Sequence, residues 1–220
     1  MNISNRLKTI ADMIDSNYHV IDVGCDHALL DIYLTLNKKI KCTAIDNKEK
    51  VIKYSKENIE KYNLTSKIEL ILNDGLENIK IHDDDIIVLA GLGTKTILNI
   101  IANKNIKHLI VQSNDDVYNL RYKLTKSNYK VIDEKIVYEK KKYYTIIKLE
   151  KEKAKYSKKE LEYGPILLKE KNKVFDKYLI KRIDYFEMLL KQVPQKYIIR
   201  KLKIKSKIKK LKAILNWYRF

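Results

Sequence analysis

The stretch Val20-Ile-Asp-Val-Gly24-Cys-Asp26-His27-Ala-Leu-Leu30, followed by Ala44-Ile-Asp46, decides the fold. Val20 to Val23 is a short apolar run of the kind that forms a buried strand. It ends at Gly24, where the backbone turns tightly and lets a ligand approach a helix expected to start near His27. A second apolar strand ends at Asp46, 22 positions after Gly24. A strand-end carboxylate roughly 20 residues beyond such a glycine grips the two ribose hydroxyls of a nucleoside cofactor. Asp46, with Asn47 beside it, is therefore a candidate cofactor contact; its bland alternative is a helix N-cap. A dinucleotide site would continue as G-x-G-x-x-G, so that bare amides meet a pyrophosphate. Here Asp26 and Ala28 stand in place of the later glycines. A carboxylate at Asp26 repels phosphate but suits a cofactor with a cationic centre. S-adenosylmethionine, with its sulfonium and ammonium, fits that charge; NAD does not.

Strand and helix alternate around this core. Ser4 reads as an N-cap, with Leu7, Ile10, Ala11 and Ile14 at helical spacing behind it. Strands are expected at 19–23, 41–45, 68–72, 86–90 and 107–112, and helices at 27–36, 48–61, 94–103 and 115–127. That rhythm predicts βαβ units, a mainly parallel sheet and helices on both faces. After Asn128 two strand-like runs, Tyr129–Tyr138 and Tyr143–Glu150, flank the charged tetrad Glu139–Lys142 and predict an antiparallel hairpin at the sheet edge. The expected fold class is α/β, a Rossmann-like domain over residues 1–150; sheets that finish in such a hairpin are typical of S-adenosylmethionine-dependent methyltransferases. Residues 151–160 read as a charged connector, and Pro165 as a residue in the first turn of a helix. Beyond it Leu179, Ile183, Phe186, Leu190 and Val193 step by fours and threes, as do Ile204, Ile208, Leu211, Leu215 and Tyr218 after Pro194. Residues 151–220 are thus expected to form an antiparallel coiled-coil hairpin.

Several residue groups end strands where an open parallel sheet takes its ligands. Asp22, inside the first strand, either contacts the cofactor or holds the loop amides. Asn73-Asp74-Gly75 offers acceptors for the exocyclic amine of an adenine, or a plain turn. Gly91, in Ala90-Gly91-Leu92-Gly93-Thr94, suits backbone contact with the methionine part of the cofactor or with a flat base. Methyltransferases acting on exocyclic amines usually carry an Asp/Asn-Pro-Pro-aromatic motif here. The two prolines of this chain are Pro165 and Pro194, which disfavours that chemistry. Gln112 and Asn114 place amides that either read a base edge or cap the next helix. His27 is a cofactor contact, a general base or a structural residue. Cys25 and Cys42 are too few for a disulfide framework or a zinc site and read as small packing residues.

Composition narrows the function classes. Apolar residues make up 45% of the 220 positions, enough for a core, and no run approaches a membrane span. A reduced cytoplasmic enzyme is expected, a monomer with no metal site and no membrane attachment. The net charge is +18, yet residues 151–220 hold 22 basic and 7 acidic residues while residues 1–150 hold 24 and 21. From Met188 to Phe220 there are 11 basic residues and no acidic one. Lysine-rich composition acts on both parts, so the asymmetry points to a polyanionic partner bound by the C-terminal part, nucleic acid above all. Lys205, Lys209 and Lys212 are candidate contacts there.

Taken together, these residues resemble one family, the bacterial tRNA adenine-22 N1-methyltransferases (TrmK). The match lies in Ile3-Ser-Asn-Arg6-Leu7, Val23-Gly24-Cys-Asp26-His27-Ala28, Ala90-Gly91-Leu-Gly93, Gln112-Ser-Asn114 and Tyr163-Gly164-Pro165, and covers essentially the whole chain. The resemblance implies S-adenosylmethionine as cofactor, tRNA as partner, and methylation of the N1 ring nitrogen of adenine 22 in the D-arm region. It implies a cofactor site of Asp22, Gly24, Asp26, His27, Asp46, Asn47, Asn73, Asp74, Gly75 and Gly91. It implies substrate contacts at Arg6, Gln112 and Asn114, and a catalytic role for Asp26, whose negative charge would stabilise the cationic base. The alternatives are an NAD-dependent oxidoreductase and a non-catalytic RNA-binding module on a degenerate methyltransferase fold.

Overall fold

The computed structural model describes residues 1–219, with side chains as far as Trp217. In chain order the first elements are α1 (Asn5–Asp12), β1 (His19–Val23), α2 (Leu29–Lys38), β2 (Cys42–Asp46), α3 (Glu49–Lys61) and β3 (Ile68–Leu72). They are followed by β4 (Asp85–Leu92), α4 (Thr94–Ile101), β5 (His108–Ser113), α5 (Val117–Lys126), β6 (Tyr129–Glu139) and β7 (Lys142–Lys151). Three helices close the chain: α6 (Lys158–Tyr163), α7 (Lys173–Gln192) and α8 (Ile198–Arg219).

Seven strands form one sheet in the order β3-β2-β1-β4-β5-β7-β6. β1 to β5 run parallel, and β7 enters antiparallel between β5 and β6. The apolar runs explain the layout. Ile86, Ile87, Val88 and Leu89 of β4 have no solvent exposure, as a central strand covered on both faces requires. The strand order reverses between β1 and β4, which puts a ligand crevice at their carboxyl ends.

The alternation expected from the sequence stands, with local corrections. α2 begins at Leu29 rather than near His27, because Asp26 (φ 52°) and Ala28 (φ 54°) are left-handed and cannot continue a right-handed helix. The segment 151–160 is not simply a connector. Ser157 and Glu160 form a capping box that opens α6; the S-x-x-E pattern was visible in the sequence.

The expected boundary at residue 150 also moves. The chain divides into two compact units, Met1–Gly164 and Pro165–Phe220. α6 belongs to the first because it completes a buried ion pair. Arg121 Nε donates to Glu134 Oε1 at 2.7 Å, with both side chains buried, and Arg121 Nη1 donates to the Leu161 carbonyl at 3.1 Å. Gly164 closes this site at φ 97°, where a Cβ would collide with the Glu134 carboxylate.

In the second unit Pro165 does not open a helix. α7 starts eight positions later, where Asn172 Oδ1 accepts from the Val174 and Phe175 amides. Leu179, Ile183, Phe186 and Val193 are buried, as are Ile204, Ile208, Leu211 and Leu215, so the two helices zip along the expected seam. Leu190 is only partly buried, and the side chain of Tyr218 lies outside the described residues.

Because Leu161 and Tyr163 are buried and the ion pair needs the Leu161 carbonyl, residues 1–164 should unfold cooperatively as a separate protein. Ending the chain at Glu150 should instead cost several kcal/mol, the scale of disrupting a buried charge pair. Urea unfolding of the two truncations, compared by midpoint, checks this; equal midpoints would refute the role given to α6.

Candidate active site

The turn after β1 is built by hydrogen bonds to its neighbours. The Gly24 and Cys25 amides both donate to the Ile45 carbonyl of β2, at 2.8 and 3.0 Å. Gly24 sits at φ 81°, a conformation glycine reaches without a steric penalty. α3 holds the loop from the other side: Ser55 Oγ donates to the Asp26 carbonyl at 2.7 Å and Asn58 Nδ2 to the His27 carbonyl at 3.1 Å. Across the crevice, β4 bulges at Gly91 (φ 80°). The Gly91 amide donates to Gln112 Oε1 at 3.1 Å, and its carbonyl accepts from Asn114 Nδ2 at 2.6 Å. The bulge brings Leu92 against Gly24, with a Leu92 methyl carbon 3.4 Å from where a Gly24 Cβ would stand.

Between these two turns lies a cleft of about 640 Å³. It gathers Gly24, Asp46, Asn47, Asn73, Asp74 and Gly75 from the sequence-predicted set. The Asn73 amide donates to the Asp46 carbonyl at 3.0 Å, tying the β3 turn to the end of β2. Asn73 Nδ2 donates to the Gly75 and Glu77 carbonyls, which makes Asn73 the brace of its own turn. Asp46 Oδ1 accepts from the Lys48 amide at 3.1 Å, so part of its capacity serves the start of α3. The apolar wall made by Leu76, Leu92 and Ile100, with Thr96 and Asn99 beside it, was missed in the sequence. Its signal, the apolar face of the helix after Gly93, reads equally well as core.

Other predicted residues stand elsewhere. Asp26 and His27 do not line the cleft; they form an exposed pair with Oδ1 and Nε2 3.5 Å apart. Gly91 acts through its bulge rather than as cleft lining. Gln112 is a correction: it is fully buried, and its amide is spent on Arg6, Gly91, Ser113 and Asn114. It holds the bulge and cannot read a base. Arg6 reaches in from α1, its Nη1 2.5 Å from Gln112 Oε1 and its guanidinium 5.5 Å from the Tyr144 ring centre. Lys205, Lys209 and Lys212 line a groove on the helical unit, where Lys212 pairs with Glu187 at 2.7 Å.

Asp22 is buried rather than facing the cleft. Behind it lies Asp31, whose two oxygens meet no hydrogen-bond donor among the described residues. Burial and the neighbouring Asp31 charge push the Asp22 carboxyl well above the usual range, and burial pushes Asp31 up to about 7. Two such carboxyls can bond only through a shared proton and titrate as a pair. Burial likewise pushes the thiols of Cys25 and Cys42 up, as inert packing residues require.

A seven-stranded sheet ending in an inserted antiparallel strand, with a strand-end carboxylate over a glycine turn, defines a Rossmann-like fold of the S-adenosylmethionine-dependent methyltransferase class. The donor set fits that cofactor: an acid at a strand end, a polar turn and an apolar wall for a flat ring. The sequence pattern of one family, tRNA (adenine(22)-N(1))-methyltransferase (TrmK), matches residues 20–213, and the chain belongs to it. It is 33% identical to the tRNA (adenine(22)-N(1))-methyltransferase of Bacillus subtilis over 207 residues, covering 89% of this chain and 87% of that one. The structure of M. capricolum TrmK with S-adenosyl-homocysteine superposes with a TM-score of 0.83, at 32% identity over 97% of this chain and 98% of that one. Streptococcus pneumoniae Sp1610 in complex with S-adenosyl-L-methionine gives 0.85, at 28% identity over 97% and 100%. Family membership sets the oxidoreductase alternative aside.

Two outcomes follow. Asp46→Ala should lose roughly 1.5–3 kcal/mol of S-adenosylmethionine affinity, the worth of charge-assisted hydrogen bonds, with the fold kept; unchanged affinity by calorimetry would remove its assignment. Asp31 keeps its proton in the folded state up to about pH 7, while the unfolded chain loses it near 4. Its contribution to stability therefore falls as pH rises from about 4 to 7. Asp31→Asn supplies a fixed donor to Asp22, so Tm should rise by a few degrees at pH 8 and change little at pH 5. Equal shifts at both pH values would sink the shared proton.

Proposed function

We propose that this chain transfers a methyl group from S-adenosylmethionine to the N1 nitrogen of adenine 22 in the D-arm region of tRNA. The observation that carries the reading is the cleft that joins the Gly24 turn, Asp46 and the 73–75 turn, in a chain of this family. Asp46 would accept from the ribose hydroxyls, Asp74 from the adenine amine, and Leu76, Leu92 and Ile100 would flank the ring. When bound, S-adenosylmethionine supplies an electrophilic methyl group on a sulfonium.

The chain's own task is alignment. Adenine N1 carries a lone pair at neutral pH, so no base has to remove a proton before attack. What grows is positive charge on the ring, and a preorganised negative group stabilises it. Asp26, exposed on the loop that follows Gly24, is the carboxylate we assign to that role. The loop geometry supports it: Ser55 and Asn58 fix the carbonyls of Asp26 and of the next residue, His27. Gln112 and Asn114 contribute by holding Gly91, and Arg6 by bracing Gln112.

A base stacked within folded tRNA must be turned out to react, at a cost of a few kcal/mol. The C-terminal helices offer phosphate contacts that offset this cost, with Lys205 and Lys209 in no ion pair among the described residues and Lys212 shared with Glu187. Among the described residues no helix is long and apolar enough to cross a membrane. We place the enzyme in the cytoplasm with its substrate, acting as a monomer.

The direct test is to incubate unmodified tRNA with the protein and labelled S-adenosylmethionine and to map the methylated nucleotide; label at another base would overturn the assignment. Asp26→Asn should lower the single-turnover rate far more than it lowers tRNA affinity. A variant with the wild-type rate would reduce Asp26 to a structural residue.

A further inference from the structure

The strand hairpin β6–β7 carries a feature that the proposed chemistry does not use. Val111 of β5 lies opposite Ile147 of β7. Continued along the strand, this register sets Thr145 opposite Ser113, the last residue of β5. Lys142, Tyr143 and Tyr144 therefore project past the carboxyl edge of the sheet, by roughly 10 Å at about 3.3 Å per residue. The tip overhangs the edge on which Gly24, Asp46 and Gly91 lie. Arg6 ties it there: its amide donates to Glu139 Oε2 at 3.1 Å, and its guanidinium lies over the Tyr144 ring while bonding Gln112.

The tip itself reads Lys140-Lys141-Lys142, all exposed, and none of the three is in an ion pair among the described residues. Lys140 (φ 47°) and Lys141 (φ 65°) occupy the two left-handed positions of a two-residue strand turn, where Asn-Gly is the favoured pair. The chain fills four of its other left-handed positions with Asn, at 63, 78, 103 and 128. Turn geometry therefore does not account for lysine here. Below the turn Tyr138 pairs across the strands with Tyr143, ring centres 4.7 Å apart, and Tyr138 is 48% exposed. Three unpaired cations above an exposed aromatic face match a nucleic acid strand, phosphates to the lysines and a base to the ring.

We infer that this hairpin tip is a second tRNA-binding element, one that grips the phosphate backbone beside the reacting base independently of the C-terminal helices. The inference rests on the tRNA methyltransferase reading. Its role is local: the C-terminal unit gives overall affinity, while the tip holds the strand at the carboxyl edge of the sheet where methyl transfer takes place.

The turn geometry supplies a variant that keeps the fold. K140N/K141G/K142Q installs the favoured turn residues and removes three charges. In the full-length chain it should match or exceed the wild-type Tm and bind S-adenosylmethionine with unchanged affinity. Its tRNA affinity should drop tenfold or more near 0.1 M salt, with the log–log salt dependence shallower by about two. Tyr138→Ala should weaken tRNA binding about fivefold or more without changing that slope, because stacking releases no counterions. Wild-type affinity and slope in the triple variant, in a preparation whose parent methylates tRNA, would overturn the inference alone. The same result with a changed mass in solution would reassign the tip to contact between copies. A parent that neither binds nor methylates tRNA would overturn the underlying reading, and this inference with it.

Discussion

The site depends on one carbonyl, that of Ile45, which accepts both the Gly24 and Cys25 amides. Those two bonds fold the chain back over β2 as soon as β1 ends. The glycine turn is thereby fixed against the strand that ends in Asp46. A side chain at Gly24 would need a left-handed backbone that L residues disfavour, although its Cβ would meet Leu92 on the facing bulge at ordinary van der Waals distance. Everything that defines the cleft follows from this closure. The β3 turn is hydrogen-bonded to the Asp46 carbonyl, α3 pins the loop through Ser55 and Asn58, and the β4 bulge supplies the facing wall.

The buried charges of the first unit are handled in two different ways. Arg121 and Glu134 neutralise each other at 2.7 Å, and the guanidinium finds a further acceptor on α6. Asp22 and Asp31 have no cation between them. Arg6 lowers the Asp22 carboxyl only in part, so the pair is relieved by keeping a proton. The first arrangement stabilises a unit boundary; the second costs stability as pH rises. A carboxyl pair of this kind, buried beside the Gly24 turn, carries less negative charge than two free acids would.

How much of this was legible in the sequence follows from what each residue interacts with. Elements made by local rules were readable: apolar runs marked the strands, and the spacing from Gly24 to Asp46 picked out two residues that the structure brings to one cleft. Asp74 and Gly75 reach the same cleft from a turn whose chemistry is local too. Gln112 was misread because its amide could serve solvent or bulge equally well in one dimension; only the bulge at Gly91 decides that it turns inward. Asp31 was invisible, since a carboxylate in the first turn of a helix is the ordinary dipole-favoured choice. Its burial depends on packing across β1 that no period reveals. The division at Gly164 was hidden for a similar reason, since the Arg121–Glu134 pair that recruits α6 spans 13 positions on one side and 40 on the other.

The distribution of lysine sorts function from composition. In a chain with 46 basic residues, a lysine alone signifies little, and Lys212 shows why: it is held by Glu187. What carries weight is a cation without a carboxylate beside it, in a place where another residue would serve the backbone better. By that criterion α8 qualifies through the missing acids from Met188 onward, and the β6–β7 tip through lysines at left-handed turn positions. The two lie in separate compact units, one with its own apolar seam and one with the cleft at the carboxyl edge of the sheet. A substrate that must be held firmly and also have one base turned out requires both kinds of contact. Affinity from many phosphates sets residence, but it cannot by itself fix which base meets the methyl donor. That second task needs a short, rigid projection at the carboxyl edge of the sheet, and a strand hairpin braced by Arg6 has the stiffness for it.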